Sequence, residues 1–166
     1  AESSEASAEV NETTVTTEWP SICVYRSGKW LGKLYSLRCP DISILRIGNL
    51  LALLSIPHAL FLYFCRVTPR IGIRYRLTNR RMLIERGMGH EIDWGIALEG
   101  FDEVQIEQLE GQAWFDAADL VFTKAGQEVF RLGAVCHPEV FRQILLKTHQ
   151  AFLSVQAVRQ GQSAVA

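Results

Sequence analysis

The apolar positions change their rhythm three times along the chain. From Ile47 to Cys65 the run IGNLLALLSIPHALFLYFC carries no formal charge. From Ile71 the spacing drops to two: Ile71, Ile73, Tyr75 and Leu77 alternate with Arg74 and Arg76, the signature of a half-buried strand. From His137 onward it lengthens again. Val140, Phe141, Ile144, Leu145, Thr148, Phe152 and Val155 recur at helical spacing, which predicts one amphipathic helix over roughly 137–158. Pro138 suits the first helical position and Glu139 the positive helix end.

Between these limits five more short strands are expected. They are Arg81–Gly87, Ile92–Leu98, Phe101–Gln108, Ala118–Lys124 and Glu128–Val135. Thr78-Asn79-Arg80 reads as a short turn and Ala125-Gly126-Gln127 as a tight hairpin. Six short strands and a closing helix predict an α+β domain, an antiparallel barrel or sandwich whose open end the helix covers. Asp102, Glu103, Glu107 and Glu110 read as the wet face of one strand and its exit.

The nineteen residues of the uncharged run would extend ~28 Å as a helix, close to the ~30 Å of a bilayer's hydrocarbon core. A membrane helix over 41–66 follows, with Arg46 snorkelling outward at its start. Pro57 removes one backbone donor and predicts a kink; a re-entrant hairpin turning at Ser55-Ile56-Pro57 is the alternative. Asn49, Ser55 and His58, with the small residues Gly48 and Ala52, are candidates for contacts between helices inside the membrane.

Charge is distributed in blocks. Residues 1–20 hold five Glu and no Lys or Arg. Residues 1–18, small and acidic, are expected to be disordered. Residues 19–40 mix aromatic and basic side chains, as interfacial segments do. Residues 66–86 hold seven arginines, Arg66, Arg70, Arg74, Arg76, Arg80, Arg81 and Arg86, against the single acid Glu85. Residues 26–46 hold five basic residues, so the arginine excess places the C-terminal domain, residues 71–158, on the cytoplasmic side. The seven arginines are also candidates for lipid-headgroup contacts, each worth about 1 kcal/mol near an anionic surface.

The order YRLTNRRMLIERG, IALEGFDEVQIE, ADLVFTKAGQEVFRLGAV and a helix opening HPEVFRQIL resembles the bacterial pleckstrin-homology (PH) domain family over about residues 71–155. Tyr75, Leu77, Thr78, Asn79 and Arg81 are its most specific part. The resemblance implies a bent seven-stranded sheet capped by one helix, often preceded by a membrane helix. It leaves one strand to be found, in Gly111–Ala117 or in the pre-membrane segment. It also implies a binding role, since eukaryotic relatives hold phosphoinositides through basic loops. Here residues 71–155 carry nine basic and twelve acidic residues, which favours protein contacts or self-association through a strand edge over a broad anionic-lipid footprint.

The remaining chemistry is sparse. Net charge is −1, so no overall field favours nucleic acid. Cys23, Cys39, Cys65 and Cys136 form no CxxC pair, and no Cys/His cluster has zinc spacing. No P-loop, dinucleotide fingerprint, nucleophile elbow or HExxH occurs; Gly87-Met88-Gly89 lacks the continuation of a phosphate loop. Asp116 and Asp119 read as a solvated turn, and Cys136-His137 as a buried thiol beside a helix start. The expectation is a non-enzymatic module, without metal or cofactor, anchored in the membrane and binding lipids, membrane proteins or itself. The alternative is an accessory subunit of a larger membrane complex.

Overall fold

In a computed structural model, residues 12–36, 53–68, 72–87 and 91–163 are described. They form two antiparallel sheets and three principal helices. The first sheet has the order β1-β2-β3-β4, built from Thr14–Glu18, Ile73–Thr78, Arg81–Arg86 and Glu91–Ala97. The second has the order β5-β6-β7, from Glu103–Glu107, Ala117–Lys124 and Gln127–Cys136. Helix α3, Pro138–Ser163, follows β7. The sheets do not close into a continuous barrel.

Alternation along β2 explains the core. Tyr75 and Leu77 point inward to meet Met82, Leu98, Val104, Leu120, Phe122, Phe130, Leu132, Phe141 and Leu145. Phe101 and Phe130 pack on Phe122, edge-on, with ring centroids 4.9 and 5.3 Å away. Edge-to-face contact sets the positive ring edge against the negative face of the next ring. Phe141 and Leu145 bring α3 down onto this core, with Ile144 and Phe152 at its margin. Val140 and Val155, expected on the same stripe, face outward. The β6–β7 hairpin turns through Ala125 and Gly126, both at positive φ (51° and 79°), the geometry whose twist matches paired strands.

The seventh strand is β1, at the end of the acidic segment. The expectation of disorder through residue 18 is therefore corrected at Thr14–Glu18, while residues 1–11 lie outside the described residues. The β-branched stretch Thr14-Val15-Thr16-Thr17 suits a strand, and β2 offers it a paired edge. The Gly111–Ala117 candidate instead opens with a 3₁₀ turn, Ala113–Phe115, before β6 begins.

Residues 19–72 form an insertion between two neighbouring strands, β1 and β2. It contains helix α1, Arg26–Tyr35, and helix α2, Ile56–Val67. Gly28, Leu31, Gly32 and Tyr35 are buried at helical spacing along α1. A Cβ on Gly32 would lie 1.9 Å from the Gly111 carbonyl oxygen, so only glycine lets α1 approach that loop. Leu31, Tyr35 and Leu62 make a second, small core between the helices. Pro57 stands in the first turn of α2, where a missing N–H breaks no helical bond, and Ser55 is a turn between it and helical Leu53–Leu54. Among the described residues no helix is long and apolar enough to cross a membrane; residues 41–52 of the expected span lie outside them.

Candidate membrane and partner surfaces

The turn Thr78-Asn79-Arg80 does more than reverse the chain. The Thr78 hydroxyl accepts the Arg81 backbone N–H at 3.0 Å, an ST-turn. Asn79 then holds the start of β1: its Oδ1 accepts the Thr13 N–H at 3.1 Å and its own N–H donates to the Thr13 carbonyl at 3.0 Å. Arg81 completes the clasp by donating Nε and Nη2 to the two oxygens of Glu12, each at 2.8 Å. Burial works against the Glu12 carboxylate, but hydrogen bonds from Arg81 and Thr78 bring its pKa below the usual 4.5. Thr78, Asn79 and Arg81, singled out from sequence, thus serve to pin the N-terminal strand. Sequence reasoning missed Glu12 and Thr13, since their partners are more than sixty residues away.

Three further arginines of the group are similarly engaged. Glu85 is fully buried on the outer side of the first sheet. Arg74 donates Nε and Nη2 to its Oε2 at 2.9 and 2.6 Å, and Arg76 Nε lies 2.7 Å from Oε1. The Arg74 guanidinium also stacks 5.8 Å over the Trp19 ring. Arg86 pairs with Asp93 at 2.6 Å. Four of the seven candidate headgroup arginines are therefore held by the protein's own carboxylates. Arg66 and Arg80 make no ion pair among the described residues, and Arg70 lies outside them.

Of the expected intramembrane contacts, Asn49, Gly48 and Ala52 lie outside the described residues, and His58 is exposed on α2. Ser55 is hydrogen-bonded to the Tyr35 hydroxyl, which ties the end of α1 to the start of α2. Much of the α2 surface is exposed and apolar: Leu60, Phe61, Tyr63 and Phe64 are each more than half exposed, as are Leu53, Leu54 and Ile56 just before or at its start. So many large apolar groups on one short helix exceed the scattered exposure of ordinary soluble surfaces.

A second exposed surface lies on β4. This strand ends its sheet, and no described strand pairs with its far edge. Trp94 is 66% exposed and Ile92 50%. Trp94 and Ile84 face Val129, Phe130 and Arg131 of β7 across a shallow groove of about 330 Å³. A bulge between Ile84 and Glu85 leaves Asp93 without a register partner. Bulges and charges are common means of keeping an edge strand from indiscriminate pairing.

Other polar and titratable side chains make hydrogen bonds within the fold. Asp119, expected in a solvated turn, is instead buried in β6. Its Oδ1 accepts the Gln112 amide at 2.5 Å and the Ala134 N–H at 2.8 Å, while Oδ2 lies 3.4 Å from Arg131 Nη1. The Tyr75 hydroxyl donates to the Gly133 carbonyl at 2.7 Å beside it. Asp116 is exposed and contacts His137 Nδ1 at 2.6 Å. Cys136 is not aligned with this pair; its thiol donates to the Trp19 carbonyl at 3.6 Å, and burial raises its pKa. Among the described residues no three His, Cys, Asp or Glu side chains converge as metal ligands.

Compared with known family models, curated proteins and solved structures, the chain matches none.

Proposed function

We propose that this protein is a membrane-anchored, PH-like binding module, with the sheet domain at the cytoplasmic face holding an extended strand of a partner protein. One arrangement carries the reading. A two-sheet body whose edge strand β4, with exposed Trp94 and Ile92, is left unpaired by the described strands is fixed, through the adjacent strands β1 and β2, to an insertion with an exposed apolar helix.

The anchoring half rests on α2 and on the uncharged run that continues N-terminal to it. The seven strands in four-plus-three order and the single closing helix are compatible with the PH-like resemblance. The binding half rests on β4. Main-chain groups along a free edge supply affinity to an added strand, and alternate side chains supply specificity. Trp94 and Ile84 offer the pocket such a strand would fill.

The test is purification from native membranes, with carbonate extraction run in parallel. The reading expects the protein to resist carbonate and to bring down a partner that is lost from the Trp94→Glu variant while membrane retention is unchanged. Release into carbonate removes the anchor. Partner retention by Trp94→Glu removes the edge as the binding surface. A stoichiometric complex that depends on Phe61 and Phe64 rather than Trp94 would favour the subunit reading.

A further inference from the structure

Arg66 stands out among the arginines because of its surroundings. Helix α2 does not lie flush against the sheets. Between Ile56, Ala59, Leu60 and Tyr63 on the helix and Ser21, Ile22, Phe115 and Cys136 on the body runs an open groove of about 490 Å³. That volume falls in the ~300–1,000 Å³ range of small-molecule sites. The lining is mostly apolar. Arg66, in the last turn of α2, supplies its cation.

The guanidinium is half-buried, and Nη2 donates to the Trp19 carbonyl at 3.0 Å. No carboxylate lies within ion-pair distance among the described residues, in contrast to Arg74, Arg76, Arg81 and Arg86. Glu18 senses the charge of Arg66 but forms no ion pair with it. A guanidinium has five N–H donors in a planar fork suited to phosphate. A half-buried cation that makes no ion pair among the described residues keeps guanidinium donors for an incoming anion.

The two ends of the groove ask for different chemistry. Arg66 asks for an anion; Ile56, Ala59, Leu60 and Tyr63 ask for alkyl surface. A free anion satisfies only the first, and a neutral amphiphile only the second. We infer that the groove holds one anionic phospholipid, its phosphate on Arg66 and its first methylenes along the inner side of α2. This deepens the membrane reading, which supplies the lipid, but the site itself is formed by the folded chain.

Native mass spectrometry of the full chain tests it, after incubation in neutral detergent with equimolar phosphatidylglycerol and phosphatidylcholine. The expected result is retention of phosphatidylglycerol at least fivefold over phosphatidylcholine. Arg66→Gln should lose about fivefold of that retention, the equivalent of about 1 kcal/mol, and Arg66→Lys should keep part of it. Leu60→Gln, at an exposed position, should weaken both lipids while leaving the fold intact. Equal retention of the two lipids, wild-type retention by Arg66→Gln, or full displacement by inorganic phosphate would each overturn the proposal. Should Arg66→Gln fail to fold, Arg66→Lys and Leu60→Gln decide it by the same criteria. Vesicle flotation separates the two readings. Selective lipid binding without flotation removes the anchor and keeps the groove; flotation without headgroup selectivity removes the groove and keeps the anchor.

Discussion

Replacing Asp119 with Ala probes how the second sheet is joined to the loop that receives α1. Asp119 and Gln112 are almost wholly buried, and the same carboxylate oxygen serves the Gln112 amide and the Ala134 N–H. Ala134 has φ 50°, so its N–H is presented by a backbone turn that cannot easily re-aim. Truncation orphans two buried donors, each costing about 1–3 kcal/mol. Partial access of water to the Arg131 side lowers the sum, giving an expected loss of about 3 kcal/mol. For a chain of this size that is a fall in Tm of about 10 °C. Asp119→Asn keeps one amide oxygen for the donors but turns an N–H₂ toward Arg131, and should cost about 1 kcal/mol. Gln112→Ala combined with Asp119→Ala should cost less than the two changes added, because the double variant no longer buries an unpartnered amide. Urea and thermal unfolding in mild detergent measure all three. Strict additivity, or a loss from Asp119→Ala below about 0.5 kcal/mol, would refute the argument.

Three further outcomes are expected. Glu12→Gln should weaken the β1 clasp in a pH-dependent way. The folded carboxylate has a lowered pKa, so its contribution is complete above the ordinary value of 4.5 and disappears as pH falls through the folded value; wild-type and variant stability curves should converge there. Tyr75→Phe leaves the core filled but orphans the Gly133 carbonyl, for a loss of about 1 kcal/mol in thermal unfolding. Ala125→Gly relieves a left-handed residue in the β6–β7 turn while keeping the N–H that donates to Asp102 at 3.0 Å, and should gain about 0.5–1 kcal/mol by the same assay.

Periodicity made β2 and β5 legible, because each buries alternate side chains in the core. Ile73, Tyr75 and Leu77 announce β2, and Val104 and Ile106 announce β5, without reference to anything distant. β1 was hidden for the opposite reason. Thr14–Glu18 has no alternating apolar face and acquires its pairing from β2, across the whole insertion. The arginines were legible as a group but not in their roles. Sequence shows seven cations and one nearby acid; only the fold brings Glu12 to Arg81 and Asp93 to Arg86. Asp119 was misplaced because its neighbours Asp116 and Ala118 look like turn residues, whereas β6 is buried along most of its length. The one retrospective signal was the spacing of Gly28, Leu31, Gly32 and Tyr35, a helix repeat with two glycines on the packed side.

The position of the insertion bears on the proposed anchoring role. It leaves the sheet after Glu18 and returns at Ile73, on strands that pair with each other, Glu18 opposite Tyr75. At its base Arg66 donates to the Trp19 carbonyl, and the Gly72 N–H donates to the Thr68 carbonyl at 2.9 Å. α1 is locked to the Gly111 loop by the absence of side chains at Gly32 and Gly111, and to the start of α2 through Tyr35 and Ser55. Entry and exit are thus stapled to each other and to the same sheet. A flexible linker decouples what it joins, because ordering it costs conformational entropy that nothing repays. The described parts of this connection are held by hydrogen bonds and close packing. Under the proposed reading, a domain held in this way would present β4 at a set orientation to the surface on which α2 rests, and a partner strand would meet an edge whose direction is already fixed.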